Sequence, residues 1–208
     1  MERYILKKGK DYSEKERELI WQYGDKKTLK FLKNIDINGS WLNLAGGDER
    51  YNEELLKRVD SLIVGDIDKE ALKKVYENSD YKEKLSVKKF NLANKFPFED
   101  SSFDGVLCVG ILQLFPEKIL RKILREIKRV TKRRGKIILD IVTDIERKKN
   151  DNNSKYKDND YSLEKAKRIF KEEFKYYNIR FVEEKVPLQR VDDYKFRCEF
   201  LLAYLKNK

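Results

Sequence analysis

The sequence predicts an α/β fold: a doubly wound, mostly parallel sheet of seven strands with an N-terminal helical cap and a C-terminal antiparallel hairpin. Three observations predict it. Short apolar runs alternate with amphipathic helical stretches from about residue 40 onward, which is the pattern of a parallel sheet covered on both faces. The first strand stops at a Gly-Gly pair and passes into helix-forming residues. The last two apolar runs are separated only by a short polar turn, which reads as a hairpin.

The elements follow in order. Residues 1–39 read as the cap: "YSEKERELIWQY" offers Ser13 as N-cap with Glu16 three residues on, a capping box. "KKTLKFLKNI" then carries Leu29, Phe31, Leu32 and Ile35 as one apolar set. The core, residues 40–142, runs strand "SWLNL", helix "NEELLKRV", strand "SLIVG", helix "KEALKKVYEN", strands "LSVKKFN" and "FDGVLCV", helix "PEKILRKILREIKRVT" and strand "KIILDIV". Asp68 is the expected cap of the second of these helices. After Pro116, Ile119, Leu120, Ile123, Leu124, Ile127 and Val130 repeat at helical spacing, with Gly135 as the expected stop. Residues 143–161, polar and without periodicity, read as a mobile loop. In residues 162–208, Ser162 caps a helix with Leu163, Ala166, Phe170, Phe174 and Tyr177 on one face. "IRFVEEKVPL" and "KFRCEFLLAYL" then form the hairpin. A chain of 208 residues supports one domain of this kind.

Composition narrows the chemistry. The chain contains no histidine, which removes the usual general base, the commonest transition-metal ligand and every Ser-His or Cys-His mechanism. Cys108 and Cys198 lie inside strands without metal-ligand spacing, so neither a disulfide nor a metal site is expected. The net charge of +11 would attract polyanions, but 41% of residues are charged and the signs are interspersed. No apolar run approaches the ~20 residues of a membrane span. The N-terminus "MERYILKKGKDYSEKE" carries charges where a signal peptide needs apolar residues. A soluble, cytoplasmic protein with no membrane partner is expected.

Ligands of open parallel sheets bind outside the carboxyl ends of the strands, at the switch point of strand order. Strand-end residues are therefore the candidates: Ala45, Gly46 and Gly47 after the first strand, Asp66 and Ile67 after the second, Asn91 and Leu92 after the third, Val109 and Gly110 after the fourth. A carboxylate at the position of Asp66 can accept hydrogen bonds from both hydroxyls of a ribose. A tight turn accounts for the two glycines about as well as a nucleotide does, and to this point a dinucleotide enzyme fits equally.

The stretch Pro97-Phe98-Glu99-Asp100-Ser101-Ser102-Phe103-Asp104, taken with "LNLAGG" and "LIVGDIDKEAL" in the same order, resembles the class I S-adenosylmethionine-dependent methyltransferases over roughly residues 40 to 142. The resemblance implies a Rossmann-like seven-stranded sheet, S-adenosylmethionine as cofactor and S-adenosylhomocysteine as product. It implies that Ala45, Gly46 and Gly47 lie under the methionine part, that Asp66 holds the ribose and that Ile67 packs on adenine. Asn91, with Leu92 beside it, would meet the adenine amino group, and the main chain of Val109 and Gly110 the methionine end. Asp104 belongs to the turn before its strand. The glycine motif departs from the family: Asn43 stands at its acid, Ala45 at its first glycine and Glu49 at its third, so Glu49 is expected to point outward.

Methyl transfer from a sulfonium needs chiefly an aligned nucleophile, which a chain without histidine can provide. Tyr23, Asp140 and Asp144 could each serve as a base, and the sequence does not choose among them. The Asn/Asp-Pro-Pro-aromatic signature is absent from "CVGILQLF", which favours a small-molecule acceptor, or RNA methylated at other atoms. A basic strip of Lys118, Arg121, Lys122, Arg125, Lys128 and Arg129 could contact phosphates, or simply be a solvated face. Tyr156, Tyr161, Tyr176 and Tyr177 could stack on bases. A fold-retaining protein without turnover, acting as an RNA- or partner-binding module, is the alternative.

Overall fold

Alternating apolar strands and one-sided helices can bury their apolar surface only as layers, and that is the architecture of the computed structural model, which describes residues 22–149, 161–191 and 194–207. Helix α1 (Gln22–Lys33) precedes strand β1 (Ser40–Leu44). Then come α2 (Asn52–Leu56), β2 (Ser61–Asp66), α3 (Lys69–Asn78), β3 (Leu85–Lys89) and β4 (Phe103–Cys108). Helix α4 (Glu117–Val130), β5 (Thr131–Lys149), α5 (Leu163–Glu173), β6 (Tyr177–Val191) and β7 (Tyr194–Asn207) complete the chain. The seven strands form one sheet in the order β3-β2-β1-β4-β5-β7-β6. Strands β1 to β5 pair in parallel, and β7 runs antiparallel to both β5 and β6.

The apolar residues segregate by face. One core packs α4 and α5 against Leu42, Leu44, Val106, Cys108, Ile137, Leu139 and Ile141. The opposite core gathers Phe31, Leu32, Trp41, Leu55, Leu62, Val64, Leu107, Ile138 and Leu202 beneath α1 to α3. The alternation Ile137/Ile138/Leu139 along β5 divides one strand between the two cores, as the pleat requires. Among the described residues no helix is long and apolar enough to cross a membrane.

Several local expectations meet the coordinates directly. Asp68 caps α3 by accepting from Glu70 N and Ala71 N, and Ser162 caps α5 by accepting from Lys165 N. The face of α4 is as read, with Leu120, Ile123, Leu124, Ile127 and Val130 buried. Asp104 accepts from Ser40 N at 2.9 Å and from Lys132 Nζ at 2.8 Å, tying the starts of β1, β4 and β5 at the edge opposite the candidate site.

Several boundaries differ: the helix after Ser162 ends at Glu173, so Tyr177, expected on its apolar face, instead opens β6. Gly135 does not end the helix: Thr131 closes it by donating Oγ1–H to Ile127 O, and β5 starts at that same residue. The segment expected to be a loop from residue 143 continues as strand through Lys149, because it pairs with β7 as far as Lys149↔Tyr194 beyond the parallel sheet. Its remainder up to residue 160, the capping box at Ser13 and residues 192–193 lie outside the described residues; the rest of the expected turn "QRVDDY" is strand, with β6 running to Val191 and β7 starting at Tyr194.

Candidate functional site

The carboxyl ends of β1, β2 and β4 adjoin, and the loop after β1 is built to approach them closely. Gly47 N donates to Asp66 Oδ2 at 3.1 Å, and Asp68 N donates to Asp66 Oδ1 at 3.0 Å. A Cβ on Gly47 would lie 2.8 Å from Asp66 Oδ2, and one on Gly46 would lie 2.5 Å from Asn43 Nδ2, so both glycines are needed for this approach. Burial raises the pKa of Asp66, while the backbone N–H groups of Asp68, Gly47 and Ile67 favour its charged form. A partly desolvated carboxylate with unused lone pairs is well suited to accept from vicinal hydroxyls.

The turn is locked from below by two asparagines. Asn43 Nδ2 donates to Asn52 Oδ1 at 2.7 Å, and Asn52 Nδ2 donates to Gly46 O at 3.1 Å; both side chains are buried. Ala45 and Glu49 adopt φ of 55° and 66°, left-handed conformations that disfavour a side chain. These are the two places where the family has glycine. The side chain of Glu49 goes outward, accepting from Asn78 Nδ2 at the end of α3. It does not occupy the space beside Asp66.

The other strand-end residues are placed as follows. Ile67 is half-buried after β2. Asn91 spends its Oδ1 partly on Ala93 N at 2.9 Å, which leaves that oxygen one further lone pair. Leu92 packs its side chain into the core with Phe96, so it can meet a ligand only through main chain. Val109 is buried, and Gly110 has φ of 79°.

The end of β4 opens onto a charged cluster that the sequence did not reveal. Gly110 N donates to Asp140 Oδ1 at 2.6 Å. Asp140 is buried on β5, and burial pushes its pKa up to about 7, opposed by the Gly110 bond and by Arg50. Arg50 donates Nη1–H to Asp25 Oδ1 at 2.6 Å and Nε–H to Asp48 Oδ2 at 2.5 Å. Burial works against its charge, but Asp48, Tyr51 and Asp25 outweigh that and hold it cationic. Tyr51 donates its hydroxyl to Asp25 Oδ1 at 2.6 Å, and burial raises its pKa. Helix α1 is thereby fastened to the glycine loop. Only the adjacency of Arg50 to the glycines could have hinted at this, since apart from Asp48 its partners lie 25 residues before it on α1 and on β5.

The remaining candidates divide. Asp144 accepts from Leu163 N at 2.8 Å and so serves the start of α5. Tyr23 packs partly buried against Val142 and Phe200. The basic strip is largely internally neutralised: Arg121 pairs with Glu117, Glu172 and Glu173, Arg125 with Glu173, and Arg129 with Glu126 and Asp100. Tyr161 is buried with its hydroxyl donating to Phe115 O, and Tyr177 packs edge-on against Phe174. Tyr176 is exposed, and Tyr156 lies outside the described residues.

Comparison with known proteins bears on the fold that carries these residues. The family described as "Methyltransferase domain" matches residues 42–139. Among solved structures, the YcgJ protein from Bacillus subtilis is 14% identical with a TM-score of 0.67, covering 90% of this chain and 99% of that one. A SAM-dependent methyltransferase from Aquifex aeolicus is 20% identical with a TM-score of 0.57, covering 94% and 95%. DhpI, solved as a complex with SAH, is 15% identical with a TM-score of 0.66, covering 93% and 91%. At such identities these likenesses establish the fold. No curated protein sequence matches the chain.

Proposed function

We propose, from the premise that residues 42–139 are a class I S-adenosylmethionine-dependent methyltransferase domain, that this protein transfers a methyl group to a small-molecule or RNA acceptor. The observation that carries the reading is the carboxylate of Asp66, held by Gly47 N and Asp68 N beside a loop in which a side chain at residue 47 would crowd that carboxylate.

The residues present fit an adenosyl group. Asp66 would accept from its ribose, Ile67 and the Asn91-Leu92 segment would border its base, and Ala45 to Gly47 with Val109 and Gly110 would lie along its methionine part. The cofactor supplies a methyl group already made electrophilic by its sulfonium, so the chain's task is binding, alignment and proton removal. No metal-ligating cluster of His, Cys, Asp and Glu occurs among the described residues, and this mechanism calls for none.

Of the three residues that could take a proton, Asp140 supports the reading best. It touches Gly110 at the end of β4, and a pKa near 7 leaves it able to accept a proton at neutral pH. Arg50 and Lys27 would stabilise its ionised form. Asp144 and Tyr23 have the packing and capping roles given above.

The test is calorimetry with S-adenosylmethionine and S-adenosylhomocysteine. Binding is expected for both, and Asp66→Ala should weaken it by about 1–3 kcal/mol, the scale of hydrogen bonds to a charged group. Absence of heat with both nucleosides would favour the second reading, a binding module of this fold without turnover. The left-handed Ala45 and Glu49 in the glycine loop are what favour that alternative.

A further inference from the structure

A cavity of about 500 Å3 opens between the outer side of α1 and the edge strand β6. Its walls follow from two periodicities. Lys26 and Lys30, one helical turn apart, stand on one face of α1 beside Phe31. Arg180 and Glu184 alternate along β6 with Ile179 and Phe181, which pack into the opposite core, so they are directed to the α1 side. Lys27 completes the lining, with Nζ donating to Phe200 O at 3.1 Å.

The lining carries four cations against one carboxylate. Elsewhere this protein neutralises its buried-edge arginines: Arg121 and Arg129 each meet two or more carboxylates. Here, among the described residues, neither Lys30 nor Arg180 makes an ion pair, and Lys26 reaches only the neutral Gln22 Oε1. The Arg180 guanidinium instead lies over the ring of Phe31, 5.8 Å from its centre, and Phe31 leans on Tyr204 at 5.4 Å. Exposed cations without carboxylate partners, beside an apolar wall of Ile35 and Val182, form a receptor for an anion with an apolar body.

We propose that this groove is a binding site for a small phosphomonoester, its dianionic head between Lys26, Lys30 and Arg180 and its apolar body against Ile35 and Val182. The net excess of three positive charges matches a dianion better than a single carboxylate. Glu184 on the same wall opposes a continuous polyphosphate backbone and selects for a single head group. Asp66 ends β2, five positions from β6 in the sheet, about 24 Å at ~4.8 Å per strand, so the two sites are separate, although Lys27 of this lining also acts electrostatically on Asp140. It stands whether or not the chain transfers methyl groups.

The test is titration calorimetry of the whole chain with phenyl phosphate. Sub-millimolar binding is expected, weakened at least about tenfold by Lys30→Gln with Arg180→Gln, largely restored by Arg180→Lys in place of Arg180→Gln, retained in Asp66→Ala and not displaced by saturating S-adenosylhomocysteine. Should the double variant not fold, Lys30→Gln alone, at an exposed position, should still cost about threefold. The proposal is overturned by absence of binding up to ~10 mM, by equal affinity in the glutamine variants, by competition with S-adenosylhomocysteine, or by binding of a uridine oligonucleotide where phenyl phosphate shows none.

Discussion

Replacing Asp140 with Asn should make the protein more stable at neutral pH and less active. The carboxyl is buried on β5 and its pKa rises from 3.8 to about 7, chiefly through desolvation. A group whose folded pKa exceeds its unfolded one contributes most below the unfolded value. That contribution is lost as pH climbs from about 4 through about 7. A rise of about three units at about 1.4 kcal/mol each gives about 4 kcal/mol as the upper bound of the cost of ionising Asp140 in place. Asn keeps an oxygen to accept from Gly110 N, so the turn at the end of β4 should survive, and no charge needs burying. Urea unfolding of both proteins at several points between about pH 4.5 and about pH 8 should show near-equal stability at the acid end. The variant's advantage should then grow to a plateau above about pH 7. A difference that does not vary with pH would refute the assignment of a desolvated, titrating carboxylate. Methyl transfer, once an acceptor is in hand, should fall in the same variant.

Other outcomes follow from local geometry. Ala45→Gly relieves a left-handed alanine and should raise stability by about 1 kcal/mol, read as a shift in the urea midpoint; a loss would mean the methyl group packs usefully. Gly105→Ala would set a Cβ 2.1 Å from Trp41 Cε2 in a fully packed interior and should cost about 2–3 kcal/mol, or prevent folding. Gly47→Ala should leave the fold intact but weaken nucleoside binding by about 1 kcal/mol or more, because its Cβ would displace the Asp66 carboxylate. Arg129→Ala would strip hydrogen bonds from Phe96 O and Phe98 O as well as two carboxylates, and should lower the unfolding free energy by about 2 kcal/mol.

The fold was legible wherever a pattern is local. The face of α4, the caps Asp68 and Ser162 and the hairpin all depend on residues a few positions apart. What escaped depends on distant partners. Residues 143–149 look like loop because charged residues from Glu146 on break the apolar alternation; their pairing with β7, including the contact of Glu146 with Arg197, is set by residues some 50 positions away. The strand-end positions around Asp66 and Gly110 could be listed from periodicity and topology alone. The Asn43-Asn52-Gly46 chain and the Asp25-Arg50-Tyr51 cluster could not, because each needs side chains from different elements brought together.

Because Arg50 and Tyr51 both grip Asp25, helix α1 and the glycine loop share one latch, and thermodynamic reciprocity then applies. Whatever ligand tightens the loop must favour attachment of α1 by the same free energy, so limited proteolysis within residues 22–33 should report occupancy of the crevice. Severing the latch with Asp25→Asn should uncouple the two signals without touching a single residue beneath the ligand.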